Sequence, residues 1–176
     1  FSPFDFSGIH MRMPDKTFSG EYELKVGNKT VRLIEVGPAH TRGDTLVHVP
    51  KDRVVYTGDI LFNGGTPIAW AGPVSNWVRA CDRILGMDVD VVVPGHGPIA
   101  DKTAVREMRG YLQFVIDEAR KRYDKGMSAR DAAFDIPLGQ FASLGDAERI
   151  VVTVWNLFQE FKGEHTEPDI FALFEM

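Results

Sequence analysis

Three short stretches of this chain set metal-capable side chains beside glycine: His40-Thr41-Arg42-Gly43-Asp44, Thr57-Gly58-Asp59 and Pro94-Gly95-His96-Gly97. Imidazole and carboxylate are the donors that hydrolytic zinc or iron sites take, and glycine lets backbone crowd around an ion. Each stretch follows an apolar, strand-like run. His40 lies past the run ending at Val36, Asp59 past Val54-Val55-Tyr56, and His96 past Val91-Val92-Val93. Loops at strand ends converge on one edge of a sheet, where the scaffold beneath is rigid. A lone loop histidine is more often a hydrogen-bonding residue than a ligand. Three such sites in one chain outweigh three unrelated turns.

The elements that would position these residues are legible from period and punctuation. Glu21 to Val26 and Lys29 to Val36 alternate apolar and polar residues around Gly27-Asn28, a hairpin signal, with Val31, Leu33 and Val36 read as inward. Thr45 to Val49 and Arg53 to Thr57 form a second pair joined through Pro50-Lys51-Asp52. Val89 to Val93 is nearly all apolar, as a strand covered on both faces would be. Helices follow. Ser75 is the expected cap of one that ends at Gly86, with Trp77, Ala80, Cys81, Ile84 and Leu85 on one face. A long helix runs from Asp101 or Thr103 toward Gly126, Ser128-Ala129-Arg130-Asp131 has capping-box form, and Asp146 is expected to cap the last helix before Gly163. Strand pairs first and helices after predict an α/β (α+β) fold, a mostly antiparallel sheet covered by helices on one side.

In order and context the three stretches resemble the second half of the metallo-β-lactamase fold hydrolases, from Phe18 onward. The first half of that family's signature, the His-x-His-x-Asp-His loop, is absent from these residues. The resemblance implies the C-terminal half of an αββα sandwich, with residues 1–176 a single, truncated domain lacking its N-terminal half. It implies that His40 serves one metal, His96 a second, and Asp59 bridges the two. In the family a hydroxide bridging the metals is the nucleophile, so Asp59 and Asp44 enter as the catalytic carboxylates, Asp44 by orienting a loop or ligand. Two zinc ions are the expected cofactor, with iron or manganese as substitutes. Aspartate at position 59, where true β-lactamases of the fold carry cysteine or serine, resembles the glyoxalase-II-like, lactonase-like and phosphoesterase-like branches. The implied substrate is a small molecule with an ester, lactone, thioester or phosphodiester bond. With two ligands per metal, fewer than the three usual for catalytic zinc, the chain by itself is expected to bind metal poorly and to catalyse little. The alternative is an interaction module that keeps the scaffold without the chemistry.

Composition sets the remaining bounds. At 176 residues and 44% hydrophobic the chain can bury a real core, and a net charge of −5 without a basic patch argues against nucleic acid. No apolar run approaches the length of a membrane span. One cysteine, Cys81, excludes an intrachain disulfide and fits a reducing, cytoplasmic setting. Cys81 reads as a core thiol, His48 as a strand histidine, and His10 and His165 as surface residues. Ile68 and Trp70 are candidate walls of an apolar substrate pocket. The sheet face carrying Val31 and Leu33 is expected to be covered by a second copy of the chain or by a bound N-terminal portion.

Overall fold

The computed structural model describes residues 3–164. Five strands form one sheet in the order of the sequence: β1 (Glu21–Val26), β2 (Lys29–Glu35), β3 (Thr45–Val49), β4 (Val54–Phe62) and β5 (Val91–His96). The first four pair antiparallel, and β5 joins β4 in parallel. A parallel neighbour needs a crossover connection, and helix α1 (Val74–Leu85) provides it. The long helix α2 (Lys102–Tyr123), the short α3 (Ala129–Asp135) and α4 (Ile150–Lys162) complete the chain. This is the expected mixed architecture of a largely antiparallel sheet with helices.

The two faces of the sheet differ. Ile34, Leu46, Val55 and Val92 point into the core with the apolar stripes of the helices, each contributing about 1.5–3 kcal/mol by leaving water. Val31 and Leu33 lie on the face away from the helices, the one expected to need separate cover, because the period of two places Ile34 under the helices. Register aligns Tyr22, Leu33, Val47, Tyr56 and Val93 into a row crossing all five strands of that opposite face. Its members are half-buried or exposed, Tyr56 being 47% accessible. Val91 and Val93 are half-buried where Val92 is fully buried, so the expected two-sided cover of this strand is present on one side only.

The caps follow the expectations in part. Asp101 caps α2, its carboxylate accepting from Thr103 N at 2.6 Å. Ser128 caps α3 by accepting from Asp131 N at 3.1 Å, and its hydroxyl donates to Asp131 at 2.6 Å. Ser75 is not a cap: Pro73 occupies the N-cap position of α1 in extended conformation, and Ser75 falls within the first turn. Asp146 is not a side-chain cap either. It sits at φ 57° before a 3₁₀ turn (Ala147–Arg149) that leads into α4, and its carboxylate pairs with Arg149. Buried Arg122 ties α2 to α3 by donating to Glu118 and Asp135 at 2.7 and 2.8 Å. His165 lies outside the described residues. Among those described, no helix is long and apolar enough to cross a membrane.

Candidate metal centre

His40 is held from three directions. Asp44 shapes its loop, with Oδ2 accepting from Ala39 N at 3.1 Å and Thr41 N at 2.8 Å, and Oδ1 accepting from the Thr41 hydroxyl at 2.7 Å. Asp44 thus positions the loop, and its oxygens are used there. The edge of Trp77 and the ring of Phe62 pack on the imidazole at 5.9 and 5.6 Å between centroids. Trp77 is itself pinned by donation from Nε1 to Ile60 O at 2.9 Å. Finally, His40 Nδ1 lies 2.7 Å from Ile68 O. A carbonyl only accepts, so Nδ1 carries the proton. Nε2 is then the nitrogen that faces Asp59, the orientation that metal-binding histidines commonly take through such a backbone bond.

Asp59 is not in a loop after β4, as expected, but within the strand, which runs on to Phe62 with irregular register around Gly58. Gly58 adopts φ 51°, a left-handed bend that re-aims the next side chain. Gly95 of β5 runs so close that an added Cβ would lie 2.1 Å from Asp59 Oδ1. Next along β5, His96 stacks flat on Phe62, centroids 4.4 Å apart and planes 11° apart. Asn63 N donates to His96 O at 2.9 Å, fixing the strand end.

These elements bring His40, Asp59 and His96 together. His40 Nε2 lies 3.3 Å from Asp59 Oδ2, and His96 Nε2 lies 3.5 Å from Asp59 Oδ1. The histidines therefore address different oxygens of one carboxylate. Among the described residues no group of three or more His, Cys, Asp or Glu side chains is arranged to hold a metal ion; the three residues meet as two pairs about Asp59. A tetrahedral zinc with bonds of about 2.0–2.2 Å spaces two ligands by about 3.4 Å, close to the distances found. Side-chain exposure rises from 10% at His40 through 37% at Asp59 to 55% at His96, leaving the His96 side open to further donors.

A cavity of about 760 Å³ opens on the cluster. Ile68 and Trp70 line it, as read from sequence, together with residues of α3 and α4 that the sequence did not indicate. Asn156 of α4 holds the intervening loop by donating to Ala69 O. Other histidines lie elsewhere: His10 is exposed, and His48 is buried on the core face with Nε2 unpartnered. Burial and the nearby Arg32 push the His48 pKa below its ordinary value. Cys81 is buried, and burial pushes its thiol up to about 12, so it is inert.

The family model described as the metallo-beta-lactamase superfamily matches residues 5–96, just over half of the chain and all three clustered residues. The chain belongs to the metallo-beta-lactamase superfamily, whose members include hydrolases. The 2,4-dinitroanisole O-demethylase subunit alpha of Nocardioides sp. strain JS1661 is 34% identical over 46% of this chain and 25% of its own length. Metallo-beta-lactamase type 2 of Elizabethkingia meningoseptica is 30% identical over 51% of this chain and 38% of its own. The chain thus spans well under half of the curated relatives it matches. A metallo-beta-lactamase family protein from Thermus thermophilus shares the fold, with a TM-score of 0.66 at 16% identity over 88% of this chain and 52% of that one.

Proposed function

We propose that these residues form the C-terminal half of a binuclear, metal-dependent hydrolase site acting on an ester, lactone, thioester or phosphodiester. The observation that carries the reading is the division of the Asp59 carboxylate between His40 and His96, 3.3 and 3.5 Å away. Zinc fits the donor set best, and iron or manganese would accept the same nitrogens and oxygens. A metal pair held there supplies Lewis acidity toward a carbonyl or phosphoryl oxygen and acidifies water toward neutral pH.

The chain's own residues do the positioning. His40, locked by Ile68 and Trp77, offers one nitrogen in a fixed direction, and His96 offers another from the strand end. Asp59 balances charge between them, while Asp44 keeps the His40 loop from relaxing. Further ligands are proposed to come from chain outside these residues, since each histidine–oxygen pair supplies two of the three protein donors usual for catalytic zinc. The same outside chain, or a second copy, is proposed to cover the Leu33–Val47–Tyr56 row. Assignment to an oxygen-bridged branch rather than to β-lactamases rests on aspartate at position 59.

Metal analysis of the complete protein, with a panel of ester, lactone, thioester and phosphodiester substrates, tests the proposal. His96→Ala should abolish hydrolysis and leave the circular dichroism spectrum unchanged, whereas His48→Ala should cost far less activity. Full hydrolysis by the His96→Ala protein would end the proposal.

A further inference from the structure

The two histidines of the cluster are held by different means. For His40 a hydrogen bond fixes the plane of the ring, Nδ1 meeting Ile68 O at 2.7 Å. The His96 ring has no such bond. Among the described residues its one polar contact runs from Nε2 to Asp59 at 3.5 Å, and with the side chain 55% exposed, water is the remaining partner for Nδ1. The last torsion of a histidine side chain is broad, so a ring held at one nitrogen alone would turn. What meets His96 instead is Phe62. The two rings lie 11° from parallel with centroids 4.4 Å apart, a near-flat stack of the kind aromatic pairs favour. Turning the imidazole out of that plane would drive its edge into the phenyl face.

Phe62 can act as a platform because it is itself fixed. It is 4% exposed, packs on Trp77 at 6.3 Å between centroids, and its backbone N–H donates to Met108 Sδ at 3.3 Å. Register pairs Phe62 of β4 with His96 of β5, so the stack joins side chains of partnered residues. The same strand β4 therefore delivers the shared carboxylate, Asp59, and the ring that faces His96.

We infer that Phe62 is the positioning residue of the His96 metal position: its ring stands where a hydrogen-bonding partner would and holds the plane in which His96 presents Nε2. The inference rests on the binuclear reading and goes beyond it by assigning different supports to the two ions. Without Phe62, His40 keeps Ile68, Trp77 and the Asp44 loop, whereas His96 keeps nothing that fixes its plane.

Two readouts test this independently of activity. The first is proton NMR of the metal-free complete protein, labelled at histidine and held well above the ordinary histidine pKa of about 6.5. A phenyl ring current shifts protons lying over its face upfield. The His96 ring signals, assigned by their loss in His96→Gln, should therefore lie upfield of those of exposed His10. Phe62→Leu should return them to the His10 position. The second readout is calorimetric titration with zinc, of which the wild type should take up two ions tightly. Phe62→Leu should weaken one about 10- to 100-fold, the usual cost of losing a residue that orients a ligand, and leave the other within about threefold. Phe62→Tyr, which retains a flat ring, should keep both. Phe158→Leu removes a phenyl of similar burial that packs on Tyr123, and should lower Tm without changing either zinc affinity. If Phe62→Leu fails to fold, the wild-type NMR shift decides. His96 signals at the His10 position in the wild type would overturn the inference, as would unchanged zinc affinities in folded Phe62→Leu or equal weakening in Phe158→Leu. A wild type that takes up no zinc would instead count against the binuclear reading, while the NMR shift still reports the stack.

Discussion

Replacing Gly95 by alanine should disturb the candidate centre and the fold together. A Cβ on Gly95 would stand 2.1 Å from Asp59 Oδ1, 2.6 Å from Gly58 C and 2.8 Å from Asp59 N. Non-bonded heavy atoms prefer about 3.5–4.0 Å, so the carboxylate must retreat by more than 1 Å. Rotating the Asp59 side chain does not suffice, because two of the three contacts are backbone. The β4 and β5 ends must part, at a cost typical of overpacking, about 1–3 kcal/mol. For a chain of this size that lowers Tm by about 2–12 °C. Displacing Asp59 by about 1 Å also misplaces the shared ligand, and misplacement on that scale costs about 10²-fold in rate. The assay pairs thermal unfolding of Gly95→Ala with hydrolysis by the complete enzyme. Gly110→Ala is the control. An added Cβ there meets nothing within 4 Å, and the helical position should gain about 0.5–1 kcal/mol. A Gly95→Ala protein that melts with the wild type and keeps full activity would refute the crowding argument.

Other consequences concern the supports of the site and the core. Asp44→Ala removes the acceptor for Ala39 N, Thr41 N and the Thr41 hydroxyl and should weaken metal binding about 10- to 100-fold, measured by competition with a chelating dye. His48, with its pKa lowered by burial, takes up a proton more readily when unfolded. Stability from this group is therefore intact above its ordinary pKa of 6.5 and is lost as pH falls through that value toward the folded pKa. Urea midpoints for His48→Leu should accordingly fall less steeply than wild type below about pH 6.5. Arg122→Met removes the donor to Asp135 and to one oxygen of Glu118, which keeps Lys121, and should cost about 1–3 kcal/mol by denaturant titration, with α3 the first element to lose amide protection.

Much of the fold was legible because its signals are local. The Gly27-Asn28 hairpin, the Asp101 and Ser128 caps and the glycine after α4 each require only neighbours in sequence. The faces of the sheet were harder, since alternation shows two sides of a strand but not which side the helices choose. Ile34 lies under the helices, and Val31 and Leu33 lie on the face away from them. From sequence Asp59 reads as a loop residue because Gly58 resembles a strand terminator, whereas the positive φ of Gly58 bends the strand without ending it. The convergence of His40, Asp59 and His96 was visible in three glycine-bearing motifs. The supports of that cluster were not. Phe62 and Trp77 read as ordinary apolar residues. Such contacts depend on crossovers that periodicity does not encode.

The central claim is that one carboxylate is shared between two metal-binding histidines. Crystals of the complete protein grown with zinc, measured at the zinc absorption edge, test it most directly. The account predicts two anomalous peaks about 3.5–4 Å apart, with Asp59 between them, His40 on one and His96 on the other. A single peak bound by both histidines, or zinc sited away from Asp59, would contradict it.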